Sequence, residues 1–288
     1  MDLFISQVLN GFVYGVLLFL LACGLSLIFG LMGVVNLAHG SFFMLGSFIG
    51  LSVAHVTGSF WWALLLAPIP VIVIAIVMET VFLRPLYSRE KLDQVLLTFG
   101  FSFIFTDLVE TYWGKDTFNL AEPPSLEDSI EIFGNFYPSF RIALLVFGLV
   151  AALILWLIIE RTRAGAMVRA GVDDSATAMG IGLNVPLLLT TTFASGAGLA
   201  ALAGVVAGPI LGVYSGVDVE VLIPAFIVIV VGGMGSLKGA FIGSLVVGLT
   251  DTFGKAYLPD TAMFLTYIAM IFILLLRPGG LFGQVQPR

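Results

Sequence analysis

The first 83 residues contain no lysine or arginine, and the run from Ser6 to Leu31 carries no charge of either sign. A water-soluble surface needs charge at about a quarter of its positions. Apolar runs of this kind recur along the chain, at 6–31, 40–57, 61–83, 94–113, 142–159, 186–211, 221–234, 239–254 and 261–276. About 20 such residues cross a bilayer as a helix. The runs are continuous and not alternating, which argues against a β-barrel. The expected fold is all-α: one polytopic transmembrane bundle over residues 1–288, with about 8–9 spans. The runs 221–234 and 239–254 are short and rich in glycine, so Gly-broken or re-entrant segments are expected there.

Composition narrows the class further. The chain is 59% hydrophobic and 10% charged, with a mean hydropathy of +1.11. Its net charge of −6 argues against nucleic-acid binding. Cys23 is the one cysteine, so no disulfide framework forms within the chain. The first apolar run has no basic leader and no small-residue cleavage site, so it is expected to stay as a span.

Loop cations set the orientation. The loop 84–93, "RPLYSREKLD", holds three cations, and the loop 160–185 holds Arg161, Arg163 and Arg169. Arg277 and Arg288 follow the last span. Residues 107–140 carry seven acids and one cation, Lys115, and the turn 212–220 carries Asp218 and Glu220 alone. The positive-inside rule places the first three segments in the cytoplasm and the last two outside. The C-terminus is then cytoplasmic and the acidic 114–139 loop external.

Two stretches look functional. In "GLMGVVNLAHGSFFMLGSFIG", 30–50, Asn36 and His39 stand among glycines at membrane depth. A broken helix exposes backbone polar groups, which is tolerable only against protein or a watered cavity. Asn36 and His39 suit either use, and a lone intramembrane His is also suited to tying two helices together. In "RTRAGAMVRAGVDDSATAMGIGLNVP", 161–186, Ala164–Val172 is long enough for two helical turns. Asp174 or Ser175 can cap a second short helix to Met179, Gly180 and Gly182 stop it, and Asn184–Pro186 start the next span. A small amphipathic helix with Ala and Gly on one side and Arg169, Asp173 and Asp174 on the other is suited to docking on a soluble partner.

Four stretches together, "NLAHGSFFMLGSFIG", "RTRAGAMVRAGVDDSATAMGIGLNV", "GGMGSLKGAFIGSLVVG" and "RPGGLFG", resemble the shorter permease of bacterial ABC importers for branched-chain amino acids. They occur in order over nearly the whole chain. The resemblance implies a bacterial cytoplasmic-membrane protein with no catalytic residues, no metal and no cofactor of its own. It implies ATP-binding subunits inside, an external substrate-binding protein, and a second, longer permease. It places the ATPase-coupling segment at 161–185, on Gly165, Arg169, Ala170, Asp173, Asp174, Ala178 and Gly180. Relatives assigned to urea, short amides or aromatic acids leave the substrate open.

The translocation pathway is expected along Asn36, His39, Gly40, Gly232, Gly233, Met234, Gly235 and Ser236. Gly33, Gly40 and Phe42 recur as Gly232, Gly239 and Phe241 at one offset, a faint internal repeat. No P-loop of the form GxxxxGK[ST] occurs, which fits a separate ATPase. A secondary transporter would use buried carboxylates for coupling ions. The middles of the runs show none, which counts against that class. A channel formed by an oligomer stays open as an alternative.

Overall fold

The computed structural model describes residues 2–33, 35–132 and 134–283, so the Arg288 used for orientation lies outside the described residues. Helix α1, Asp2–Met32, is the centre of the bundle, with 83% of its most apolar stretch buried inside the protein. A six-residue break leads into α2, His39–Thr57. Next come α3, Phe60–Leu66, and α4, Pro68–Val77. Pro68 lacks an N–H and divides one span into these two helices. The span then runs through a π-turn, Met78–Leu83, and a 3-10 turn, Arg84–Leu86. Helix α5 is Lys91–Trp113.

The 114–139 loop carries a small antiparallel hairpin, β1 (Ser129–Ile132) with β2 (Asn135–Pro138), in register Ser129 to Pro138. Helix α6, Ser139–Arg161, is followed by α7, Arg163–Asp173, and α8, Ser175–Gly180. Long α9, Val185–Leu211, and short α10, Val217–Gly232, come next. The described chain ends with α11, Leu237–Tyr257, and α12, Ala262–Leu276. Seven helical stretches are long and apolar enough to cross a membrane. Helix α10 falls short at 16 residues, and α11 carries Lys238, Asp251 and Lys255.

The loops sort to two ends. At one end the backbones of Phe118 and Val213 pair, joining the 114–138 loop to the α9–α10 turn. Ser215 donates to Glu110 there, and Tyr137 to Asn10 of α1. At the other end Leu281 and Phe282 donate to the carbonyls of Val231 and Gly232, and Lys238 reaches Glu160 at 3.5 Å. The cation-rich loops share this second end. The helices thus run alternately between a basic and an acidic end.

Helices approach closely where side chains are small. A Cβ added at Gly24 of α1 would lie 2.7 Å from the Gly196 oxygen of α9. One at Gly46 of α2 would lie 2.4 Å from Ala201. In lipid, association rests on such contact because the tails are as apolar as the helices. Helices α6 and α12 are peripheral, with 11% of their most apolar stretches buried.

Candidate functional site

The break between α1 and α2 re-enters the bundle. His39 Nε2 lies 3.0 Å from the carbonyl oxygen of Leu21, eleven residues back from the end of α1. At the helical rise that is about 16 Å into the membrane. Three of the segment's N–H groups find partners within reach. Gly33 N donates to Phe29 O, Leu37 N to the Thr98 hydroxyl, and Ala38 N to Asn36 Oδ1. Asn36 is 2% exposed and His39 is fully buried, so neither faces the outside of the chain. The Leu21 carbonyl can only accept, so Nε2 carries the proton and His39 ties α2 to α1. Asn36 Nδ2 and His39 Nδ1 have no partner.

Gly40 abuts the first turn of α10. A Cβ there would sit 2.2 Å from the Asp218 carbonyl oxygen, so a larger residue cannot occupy this position unless the backbone shifts. The next residue, Ser41, donates to Asp218 Oδ2 at 3.0 Å. Thr106 of α5 donates to the same oxygen at 3.4 Å.

The rest of the expected pathway is elsewhere. Gly232 to Ser236 form the turn between α10 and α11 at the basic end. Gly233 takes φ +103, a conformation costly for a residue with a Cβ, and packs on Gly283. Gly235 lies against Gly30, Met234 is 54% exposed, and Ser236 caps α11 by accepting from Gly239 N at 3.0 Å. Residues 218 and 232 are separated by fourteen residues of α10, about 21 Å. The structure therefore divides the eight expected residues between mid-membrane and the basic end. Nor does the faint repeat show as matching geometry: one member is a re-entrant stretch and the other a tight turn.

The 161–185 segment folds as its capping residues predict. The Thr162 hydroxyl accepts from Gly165 N, Asp174 Oδ1 accepts from Ala176 N and Thr177 N, and Asn184 Oδ1 accepts from Leu187 N. These bonds cap α7, α8 and α9. The Thr177 hydroxyl and N–H, with the Ala176 N–H, hold the Asp174 carboxyl below its ordinary range. Gly165 is buried, and its missing side chain admits the carbonyls of Ile158 and Ile159. Ala170 is half-buried and its carbonyl accepts from Asp174 N. Ala178 is 2% exposed and Gly180 is open. The Asp173 side chain lies outside what is described.

Arg169 bonds back onto α6 while its side chain stays 41% exposed. It sits 3.6 Å from Glu160 and donates to the Ile159 carbonyl, both on α6. The outward rim is apolar instead: Met167, Met179 and Ile181 are 40%, 53% and 73% exposed. Ile181 is in the quoted motif, but which face of each turn is covered depends on how α7 packs against α6.

Sequence reasoning also missed buried carboxylates. Asp218 was assigned to an external turn, yet it is 3% exposed in the first turn of α10. Its Oδ1 has no partner. Glu79 is fully buried and holds Arg84 at 3.0 Å, Tyr87 and Thr190. The argument against a secondary transporter from an absence of buried carboxylates therefore fails. One signal was available: Asp218 precedes a short apolar run whose first turn favours an acid.

The comparisons with known proteins decide the class. The family model described as branched-chain amino acid transport system / permease component matches residues 7–274. The high-affinity branched-chain amino acid transport system permease protein LivH of Salmonella typhimurium is 30% identical, over 98% of this chain and 96% of that protein. BraD of Pseudomonas aeruginosa, with the same description, is 28% identical over 98% and 97%. A probable LivH of Methanocaldococcus jannaschii is 26% identical over 98% and 94%. A chain of PsaBC from Streptococcus pneumoniae in complex with Fab superposes with a TM-score of 0.48 at 14% identity, over 93% of this chain and 89% of that one. With 268 consecutive residues inside the family model, buried glycine contacts between its helices and seven helical stretches fit to cross a membrane among the described residues, this multi-pass inner-membrane chain belongs to the branched-chain amino acid transport system permease family.

Proposed function

We propose that this chain is the membrane permease subunit of an ATP-driven ABC importer for branched-chain, hydrophobic amino acids. It lies in the bacterial cytoplasmic membrane with its C-terminus and the 161–185 segment in the cytoplasm. ATP is hydrolysed by separate subunits that dock on α7 and α8, and this chain needs no cofactor of its own. An external binding protein delivers the substrate, and a second, longer permease completes the membrane pair.

The observation that carries this reading is the α7–α8 element. It is capped at its helix starts, anchored to α6 by Arg169, and presents Met167, Met179 and Ile181 uncovered. Exposed apolar residues on a rigid, polar-rimmed element suit protein docking. The cation-rich loops at the same end support the orientation. The substrate named for the relatives supports the choice of cargo.

The test is uptake of radiolabelled leucine, isoleucine and valine into proteoliposomes holding the permease pair, the ATPase and the binding protein. ATP-dependent uptake that vanishes without the ATPase is expected. Uptake driven by an ion gradient alone would overturn the reading.

A further inference from the structure

Helix α5 carries a polar residue at every fourth position: Gln94, Thr98, Ser102, Thr106 and Glu110. The row extends about 24 Å, most of the hydrocarbon depth. Gln94 donates to the Leu86 carbonyl and Ser102 to the Phe99 carbonyl of its own helix, while the other three turn to the re-entrant break, α10 and the α9–α10 turn. Thr98 accepts from Leu37 N, Thr106 donates to Asp218, and Glu110 accepts from Ser215. Exposed apolar residues, Leu96, Phe99 and Phe103, flank the row. Polar groups at this depth face a partner or a watered path, because lipid cannot satisfy them.

Asp218 of α10 is the acid that Thr106 of this row meets. Ser41 and Thr106 both donate to Oδ2, and Oδ1 is buried without a partner. Among the described residues no lysine, arginine or histidine pairs with it. An unpaired buried carboxylate is costly, and the N-terminus of α10 offsets only part of that cost. A tie between helices would not need the charge, since an amide oxygen accepts the same two hydroxyls. The free oxygen suits a small cation with N–H donors, and a primary ammonium carries three.

The geometry points to Asp218, held between Ser41 of α2 and Thr106 of α5, as the group that receives the ammonium of the amino-acid substrate during its passage. This rests on the function proposed above. Asn36, whose Nδ2 is an unpartnered donor, adjoins Thr98 through Leu37. Thr98 and Thr106 are eight residues apart, about 12 Å along the helix. That is too far for the two charged groups of one amino acid, so Asn36 marks a separate stop.

Uptake in the complete proteoliposome system, with loaded binding protein in excess, tests the assignment. Asp218→Asn should assemble normally and lower maximal uptake about tenfold or more, the loss of one charged hydrogen bond. Asp218→Glu should restore part of it. Wild-type uptake with an unchanged rate in Asp218→Asn would overturn the inference and leave the proposed function standing. No wild-type uptake of any branched-chain amino acid would sink that function itself. Should Asp218→Asn fail to assemble, Thr106→Val and Ser41→Ala decide: severalfold loss in assembled protein supports the role, and unchanged uptake in both overturns it. Carbodiimide modification of Asp218, read by mass spectrometry on the purified complex, separates the cations. Protection by leucine and not by 2-hydroxy-4-methylpentanoate supports an ammonium site. Protection by sodium ions and not by leucine would assign the site to a coupling cation and overturn the proposal.

Discussion

Residues 35–41 and 161–185 both lie between long helices, yet they are built in opposite ways. The first is mostly buried, and its polar groups reach across to other helices: Leu37 to Thr98, His39 to Leu21, Ser41 to Asp218. The second lies at the basic end, and its caps are local, within three residues: Thr162 with Gly165, Asp174 with Thr177, Asn184 with Leu187. A local cap is a property of spacing. A cross-helix bond is a property of the whole fold. Substitutions in the first segment should therefore act on stability and transport together, and those on the outward rim of the second on partner docking alone.

The largest expected effect is at Gly40. Leucine there would drive its Cβ into the Asp218 carbonyl. Overpacking of this kind costs roughly 1–3 kcal/mol, and more where backbone must move. Thermal melting in detergent should fall sharply and uptake should stop. A Gly40→Leu protein that melts and transports as wild type would break the contrast at its strongest point.

His39→Ala comes next. It removes the bond to the Leu21 carbonyl, which keeps its partner in the α1 ladder, at a cost of about 0.5–1.5 kcal/mol. As a tie between α1 and α2, His39 should lower the melting temperature more than it lowers uptake by the protein that remains folded. Loss of uptake at an unchanged melting temperature would move His39 into the pathway.

On the docking rim the order reverses. Met179→Asp, at a residue 53% exposed, should change stability by less than about 0.5 kcal/mol. It should nevertheless weaken co-purification of the ATPase. Arg169→Glu sharpens the point: it places a second acid beside Glu160 and frees α7 from α6, so both stability and docking should drop. Unchanged ATPase binding in both variants would remove the docking role from this element.

Cysteine labelling tests which end is which. In a Cys23→Ser background, a cysteine at Ser125 in the acidic-end loop should react with an impermeant maleimide from outside. Reaction only from the cytoplasm would invert the bundle.

The smallest effect is at Asp174. Its folded carboxyl titrates below the unfolded value, so the cap contributes above the ordinary carboxylate range and is lost as pH falls through the depressed value. Acidification should fray α8 and weaken ATPase association slightly, and Asp174→Asn should flatten that dependence. The same acid sensitivity in Asp174→Asn would remove the cap as its cause.

How far each region was legible follows the same division. The caps at Asp174 and Asn184, the break before His39 and the alternation of basic and acidic loops all appear in the residues themselves. The bond of Arg169 back onto α6, the exposed Met167 and Met179, and the burial of Asp218 do not. Asp218 and Glu220 are near neighbours in one short turn, and nothing in their spacing says that one is buried and the other exposed. That difference arises because α10 starts below the acidic surface, against Gly40 and Thr106.

By itself the sequence determined the class of solvent, the capped helix starts and the family. Each depends on composition or on contacts within a few residues. Only the tertiary structure decided that 35–38 climbs back beside Leu21, that Gly232–Ser236 stay at the basic end, and that Asp218 is left with one oxygen free. Those outcomes depend on which helices meet and at what depth, and a hydrogen bond from Ser41 to Asp218 joins residues 177 positions apart. No local pattern carries information over that separation, because the close contact at Gly40 that sets it exists only once α2 and α10 have packed.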